Sequence, residues 1–391
     1  MTGPLPRRFY FVAASAGFAF ANMAISVPLH VVETGGKAGV AGSVLAVATA
    51  SVALGALLAG RLGRRRRSLL TIAAGVIGGG ALMLATAAGV PLLAAGSCVV
   101  GLGIGVFWVA SQLVLSRRAG RPEGARDFLL HYAVYTVGAV AGAGATGALA
   151  SGAGALGVGA LTGIRVASLL AVSGSILAVL AWRRSLAERV EPAALPAPEG
   201  PPERQLKLQV PDLLLVAALA LLLPLAPVVL AREFGLAPLS IGLVMGGVSL
   251  AKIAGTFVAR LITRGSGPRR TILLLLGAGA SFCVLLAMAI TLSVFVAALF
   301  ATALAGTGAW PLVVDAAQAR VEPASRRALT VHWNAREYVL IAAATAVAGW
   351  LITALGTPVP VFVLAALLFF GAATTAAAQL RRPVWRPVVS G

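Results

Sequence analysis

The chain has 391 residues, of which 59% are hydrophobic and only 11% charged, with a formal net charge of +19. A mean hydropathy of +0.95 excludes a soluble globular domain, whose surface needs far more polar cover. The basic excess does not point to nucleic acid, because Lys and Arg are spread over short connections with few aromatics among them.

Apolar segments follow one another at 9–31, 39–60, 68–88, 91–115, 128–151, 159–182, 211–231, 239–262, 271–290, 292–315, 328–352 and 358–379. Each is about as long as the ~20 residues a helix needs to cross a hydrocarbon core of ~30 Å. Of 31 basic residues, 26 fall at the two chain ends and in alternate connections, while the opposite connections hold only Lys37, Arg232 and Arg165. Basic loops resist translocation, so both termini and the central connection are predicted to be cytoplasmic. Arg7 and Arg8 ahead of an apolar run containing Ala19-Phe20-Ala21 imitate a signal peptide. Apolarity continues to Val32, however, so this stretch is expected to be the first span. Abundant Arg, Ala and Gly suggest a bacterial genome and hence a bacterial cytoplasmic (inner) membrane. Cys98 and Cys283 sit inside apolar segments without disulfide or metal-ligand spacing, so neither a metal nor a cofactor is expected.

The Pro-rich, charged stretch 183–210 breaks the pattern and predicts a cytoplasmic linker between an N-terminal bundle (1–182) and a C-terminal bundle (211–391). The halves match at an offset of about 200 residues. Pro28 and Glu33 pair with Pro227 and Glu233, Gly55 with Gly255, and Trp108 with Trp310. RDFLLHY (Arg126–Tyr132) matches RALTVHW (Arg327–Trp333), each placing a His-aromatic pair near the start of a span.

Six plus six helices around a central connection resemble the major facilitator superfamily over the whole chain. The run AGRLGRRRR places Gly60, Arg61, Gly63, Arg64 and Arg65 in register with the loop motif that the family carries after its second helix. Gly60 stands where the family has Asp. A looser copy follows the eighth segment, Arg260 and then GSGPRR at 265–270. The fourth segment offers GLGIG (Gly101–Gly105) without the Arg found in the family's antiporters. The resemblance implies an all-α membrane protein of 12 transmembrane helices, built as two six-helix bundles related by pseudo-twofold symmetry. It also implies a cavity lined by helices 1, 2, 4, 5, 7, 8, 10 and 11, and alternating access around a mid-depth site.

Charge inside a span is costly and marks a pathway or a pair. Lys252, Arg336 and Glu337 qualify at mid-depth, while Arg165 is near enough to a helix mouth to reach out of the membrane. Asn334, Glu337 and Tyr338 share one helical face, and Trp333 lies four residues before Glu337. A carboxyl group beside an aromatic and an amide in a low-dielectric interior can exchange a proton near neutral pH, so Glu337 is the leading proton-coupling candidate. The alternative is a permanent ion pair with Lys252 or Arg336. His131 and His332 are further proton-coupling candidates, against a structural role at the helix ends. Trp108, Gln112, Tyr132, Tyr135, Trp310 and Asn22 are candidates for the cavity wall, and Asp315 for a gate contact to the Arg-rich loops. The Gly138, Gly142, Gly144 and Gly147 stripe suits close helix crossing.

No P-loop pattern and no paired catalytic groups occur, so the chain is expected not to be an enzyme and to draw on an ion or solute gradient. The expected function is proton-coupled efflux of an amphiphilic drug or metabolite by a monomeric secondary transporter. One net positive charge at mid-depth (Lys252 and Arg336 against Glu337) favours instead an anionic, zwitterionic or sugar-like solute. A non-transporting receptor or scaffold is a distant third reading.

Overall fold

The computed structural model describes residues 5–61, 66–115, 122–183, 203–318 and 326–380. The described residues form α1 (Arg7–Glu33), α2 (Ala38–Arg61), α3 (Arg66–Ala85), α4 (Val90–Leu115), α5 (Pro122–Ala155), α6 (Ala160–Arg183), α7 (Glu203–Leu222), α8 (Ala226–Arg232), α9 (Pro238–Ala287), α10 (Leu292–Gln318), α11 (Arg326–Leu355) and α12 (Val359–Leu380). No strand occurs among them, as expected where lipid offers no partner for a backbone N–H or C=O.

These elements make twelve crossings, though not one per label. Pro224 interrupts the seventh crossing at Leu223–Leu225, and the helix resumes as α8 with Pro227 in its first turn. The eighth and ninth crossings run together as α9, broken where Gly267 takes φ 77° and ψ 160° ahead of Pro268. The predicted segments agree with these bounds within a few residues, except that α7 begins at Glu203 and takes in part of the stretch assigned to the linker. The remainder of that stretch, 184–202, lies outside the described residues.

The repeat extends to the turns. Gly35 and Gly235 both adopt positive φ (70° and 61°) after the first and seventh crossings, and Gly157 and Gly356 do so after the fifth and eleventh. It extends to packing as well. A Cβ at Gly55 would lie 2.1 Å from the Leu102 carbonyl oxygen, and one at Gly255 would lie 2.2 Å from that of Leu304. Each glycine thus lets α2 and α4, or their counterparts α9 and α10, touch backbone to backbone. In the helix-5 stripe, Gly138 and Gly142 meet α1 in the same way, Gly147 meets α9 of the other half, and Gly144 faces open space.

Within each half the helices pack in the same pattern, α1 with α5 and α6, and α7 with α11 and α12. The halves join through α2 against α11 and α5 against α9, two contacts that the pseudo-twofold exchanges. Large apolar side chains on α6 (Val166, Leu169, Leu170, Ile176) and α12 (Val363, Leu367, Phe370) point outward, as lipid-facing surfaces do.

The face at which α1 begins and α12 ends is called the terminal face here, and the opposite one the far face. Contacts between the halves gather toward the far face. A Cβ at Gly42 would lie 2.9 Å from Gly349 Cα, and the Gly39 N–H donates to Thr353 Oγ1 at 2.7 Å. Trp350 Nε1 donates to Ser43 Oγ at 3.1 Å, the Leu239 N–H to Ser151 Oγ at 2.8 Å, and Arg232 to the Gly36 carbonyl. On this face Arg165 is exposed and donates to the Ala87 carbonyl at 3.3 Å.

Candidate functional site

Helix α11 brings Trp333 and Glu337 onto one face, one turn apart. Both are buried, at 3% and 7% exposure. The Trp333 indole N–H is shared between two carboxylates, Glu337 Oε1 at 2.8 Å and Asp212 Oδ2 of α7. The two carboxyl groups, one from α7 and one from α11, thus meet at a single nitrogen. Trp310 on α10 adds a second indole N–H, 3.5 Å from Glu337 Oε1. Three helices of the C-terminal half therefore converge on an acid pair held by two tryptophans.

Asp212 overturns two expectations. Glu337 is not the only acid at this depth, and the count of one acid against Lys252 and Arg336 gains a second carboxyl group in Asp212. The sequence offered a signal in QVPD (Gln209–Asp212), an acid directly after a proline at the edge of an apolar run. It passed for a helix start because the helical turns preceding it are polar. In the structure α7 is already two to three turns long at that point, and Asp212 is fully buried. Gln209, one turn earlier, is also fully buried and was likewise missed. Its Oε1 accepts from Arg336 Nη1 at 3.2 Å. Gln209 Nε2 and Asp212 Oδ1 have no protein partner.

Neither Lys252 nor Arg336 comes within 4.0 Å of the Glu337 carboxylate oxygens among the described residues. Lys252 is half-buried on α9, and its backbone carbonyl accepts from Thr307 Oγ1 at 3.2 Å. Asn334 Nδ2 donates to Gln112 Oε1 at 3.2 Å, joining α11 to α4 across the two halves. Tyr135 on α5 packs on Trp108 of α4 with ring centroids 4.9 Å apart. Aromatic side chains thus gather in each half, Trp108 and Tyr135 packed together on the N-terminal side, and Trp310 and Trp333 around Glu337 on the other.

Other candidates lie apart from this group. Asn22 is fully buried inside the N-terminal bundle, where its amide donates to Thr146 Oγ1 (2.9 Å) and Ser26 Oγ (3.3 Å) and accepts from Ser168 Oγ (3.1 Å). With these partners it ties α1 to α5 and α6. His131 is 1% exposed, stacked on Phe9 (4.9 Å) and Phe107 (5.7 Å) and edge-on to Trp108 (6.0 Å). Neither of its ring nitrogens has a protein partner. Asp315 is exposed near the terminal end of α10, Arg61 is exposed at the end of α2, and Gly60 beside it is half-buried. The side chain of His332, and Gly63, Arg64 and Arg65, lie outside the described residues.

Two pseudo-symmetric six-helix bundles meeting around a shared polar and aromatic centre define a multi-pass membrane transporter. The sequence matches the family model of the Major Facilitator Superfamily twice, over residues 9–220 and 212–390, and the chain belongs to that family. No curated protein matches it. Among solved structures, it is similar to a bacterial homologue of the human lysosomal transporter Spinster in an inward-facing and occupied conformation. The TM-score is 0.75 at 14% identity, covering 98% of this chain and 100% of the other. The peptide transporter POT in complex with sulfate gives 0.70 at 15% identity, covering 96% and 93%. At these identities the likeness is one of fold.

Proposed function

We propose that the protein is a proton-coupled secondary transporter that exports a small amphiphilic organic solute, with Asp212 and Glu337 as its proton-carrying pair. The observation that carries this reading is the single indole N–H of Trp333 shared between two buried carboxyl groups on different helices. Two bare carboxylates gathered on one indole N–H repel each other, and a proton on either removes that repulsion. The pair therefore holds a proton when closed off. It gives the proton up when water or a solute approaches, and Asp212 Oδ1 is the free acceptor at which that exchange starts. Because α7 and α11 belong to one bundle, the pair travels with that bundle when the halves rock.

The aromatic side chains of both halves supply contact area for a flat or greasy solute. In this reading the terminal face is cytoplasmic, in a bacterial inner membrane, and the contacts at the far face close the outer path. A second reading rests on Lys252 and Arg336, which have no carboxylate partner among the described residues. A solute with an acidic group, anionic or zwitterionic, would fit them. His131 and His332 remain secondary proton-handling candidates, and a monomer is sufficient for this mechanism.

The test uses purified protein in proteoliposomes. Glu337→Gln and Asp212→Asn should each abolish pH-driven flux while leaving solute counterflow exchange. Undiminished pH-driven flux in both variants refutes the assignment. Comparing a lipophilic cation with an organic anion of similar size decides between the two solute readings.

A further inference from the structure

We propose that the groove between the start of α1 and the end of α6 is a binding site for one anionic phospholipid. The groove is a shallow, open depression of about 420 Å³ on the lipid-facing side of the N-terminal half, at the terminal face, and is lined by Arg7, Arg8, Phe11, Leu177, Leu180 and Ala181. Its floor is apolar, with Phe11, Leu177 and Leu180 exposed at 40%, 55% and 48%. The two guanidinium groups lie at its terminal rim, where headgroups lie when the apolar spans occupy the hydrocarbon layer. The first turn of α1 reinforces their charge, because it contains no acidic residue and its N-cap, Pro6, makes no side-chain capping bond. The positive end of the helix dipole thus faces the same rim.

Basic side chains above an apolar trough that continues into the outward-facing Ile176 and Leu170 of α6 match a phosphodiester with an acyl chain below it. A free phosphate would use only the rim and leave the trough unexplained. An acidic peptide would have to lie within the depth of the bilayer. The site is separate from the acid pair, so the proposal stands or falls independently of the transport reading.

The full-length protein, stripped of lipid in detergent, is titrated with phosphatidylglycerol or phosphatidylcholine and examined by native mass spectrometry. One phosphatidylglycerol should be retained in preference to phosphatidylcholine. Arg7→Ala/Arg8→Ala should lower that retention about tenfold or more, since each basic residue near an anionic surface contributes about 1 kcal/mol. Arg7→Lys/Arg8→Lys should preserve most of it, and Lys37→Ala at the far face should change nothing. The Lys variant also serves as the folded control if the Ala variant is unstable. Equal retention of the two lipids by the wild type, unchanged phosphatidylglycerol binding in the Ala variant, or full displacement by inorganic phosphate overturns the proposal.

Discussion

At matching positions the two halves carry different groups. In the N-terminal half Phe9, Phe107 and Trp108 enclose His131, and Tyr132 follows it. In the C-terminal half the place of Tyr132 is taken by Trp333, and that of Thr136 by Glu337. Thr136 turns its hydroxyl onto its own helix, donating to the Tyr132 carbonyl at 2.8 Å, whereas Glu337 meets Asp212 of α7 at the Trp333 indole and accepts from Trp310 of α10. Yet the close glycine crossings and the positive-φ turns recur in both halves at nearly the same offset. Backbone approach is a steric requirement that both copies of a bundle must meet. A titratable pair is needed once per transport cycle, so the second copy is free to lose it or never to acquire it. On the proposed mechanism, the difference puts proton handling in the C-terminal half.

Several experiments can break or sharpen that division. The largest effect is expected from Asp212→Asn combined with Glu337→Gln, which should abolish pH-driven flux. The double variant should be no worse than either single, since groups acting as a unit are not additive. Additive losses in a flux assay would argue against a shared proton. Next comes Trp333→Phe, which keeps the ring and removes the shared N–H. It should lower pH-driven flux several-fold while counterflow is retained, whereas Tyr132→Phe at the matching N-terminal position should leave both rates near wild type. A comparable loss in Tyr132→Phe would place part of the coupling in the N-terminal half.

The scaffold should respond symmetrically. Gly55→Ala and Gly255→Ala each push a methyl group against a backbone carbonyl, an overpacking that costs about 1–3 kcal/mol. Melting temperatures in detergent should therefore fall by similar amounts, and a large disparity would show that the duplicated crossings have diverged in strain. The smallest effect is expected at His131, whose nitrogens have no protein partner and whose contacts are aromatic faces. His131→Phe should keep the fold and most of the pH-driven flux. Its loss would move a proton-handling step into the N-terminal half and overturn the division outright.

Most of the fold was legible in the sequence because the bilayer imposes a length on each span and the repeat supplied a second copy of each signal. Glu337 and Trp333 were legible for a related reason, since a charge on an apolar helical face has few explanations. Asp212 was not. Hydropathy locates the middle of a helix well and its polar end poorly, and α7 continues for turns whose side chains look like loop. Asn22 shows what packing adds to such a reading. A polar residue inside a span suggests a cavity, but hydroxyls on α1, α5 and α6 satisfy its amide, and only three-dimensional packing brings Ser26, Thr146 and Ser168 to it.

The meeting of Gly42 with Gly349 at the far face bears on energy conservation. With no side chain between the two strands of backbone, the joint is narrower than a single file of water, which needs a bore about one solvent molecule wide. A seam of this kind acts as electrical insulation, because ions cannot hop along a wet thread that has no room to form. A bulkier residue at Gly42 would prop the seam ajar and open a leak path for water and ions between the halves.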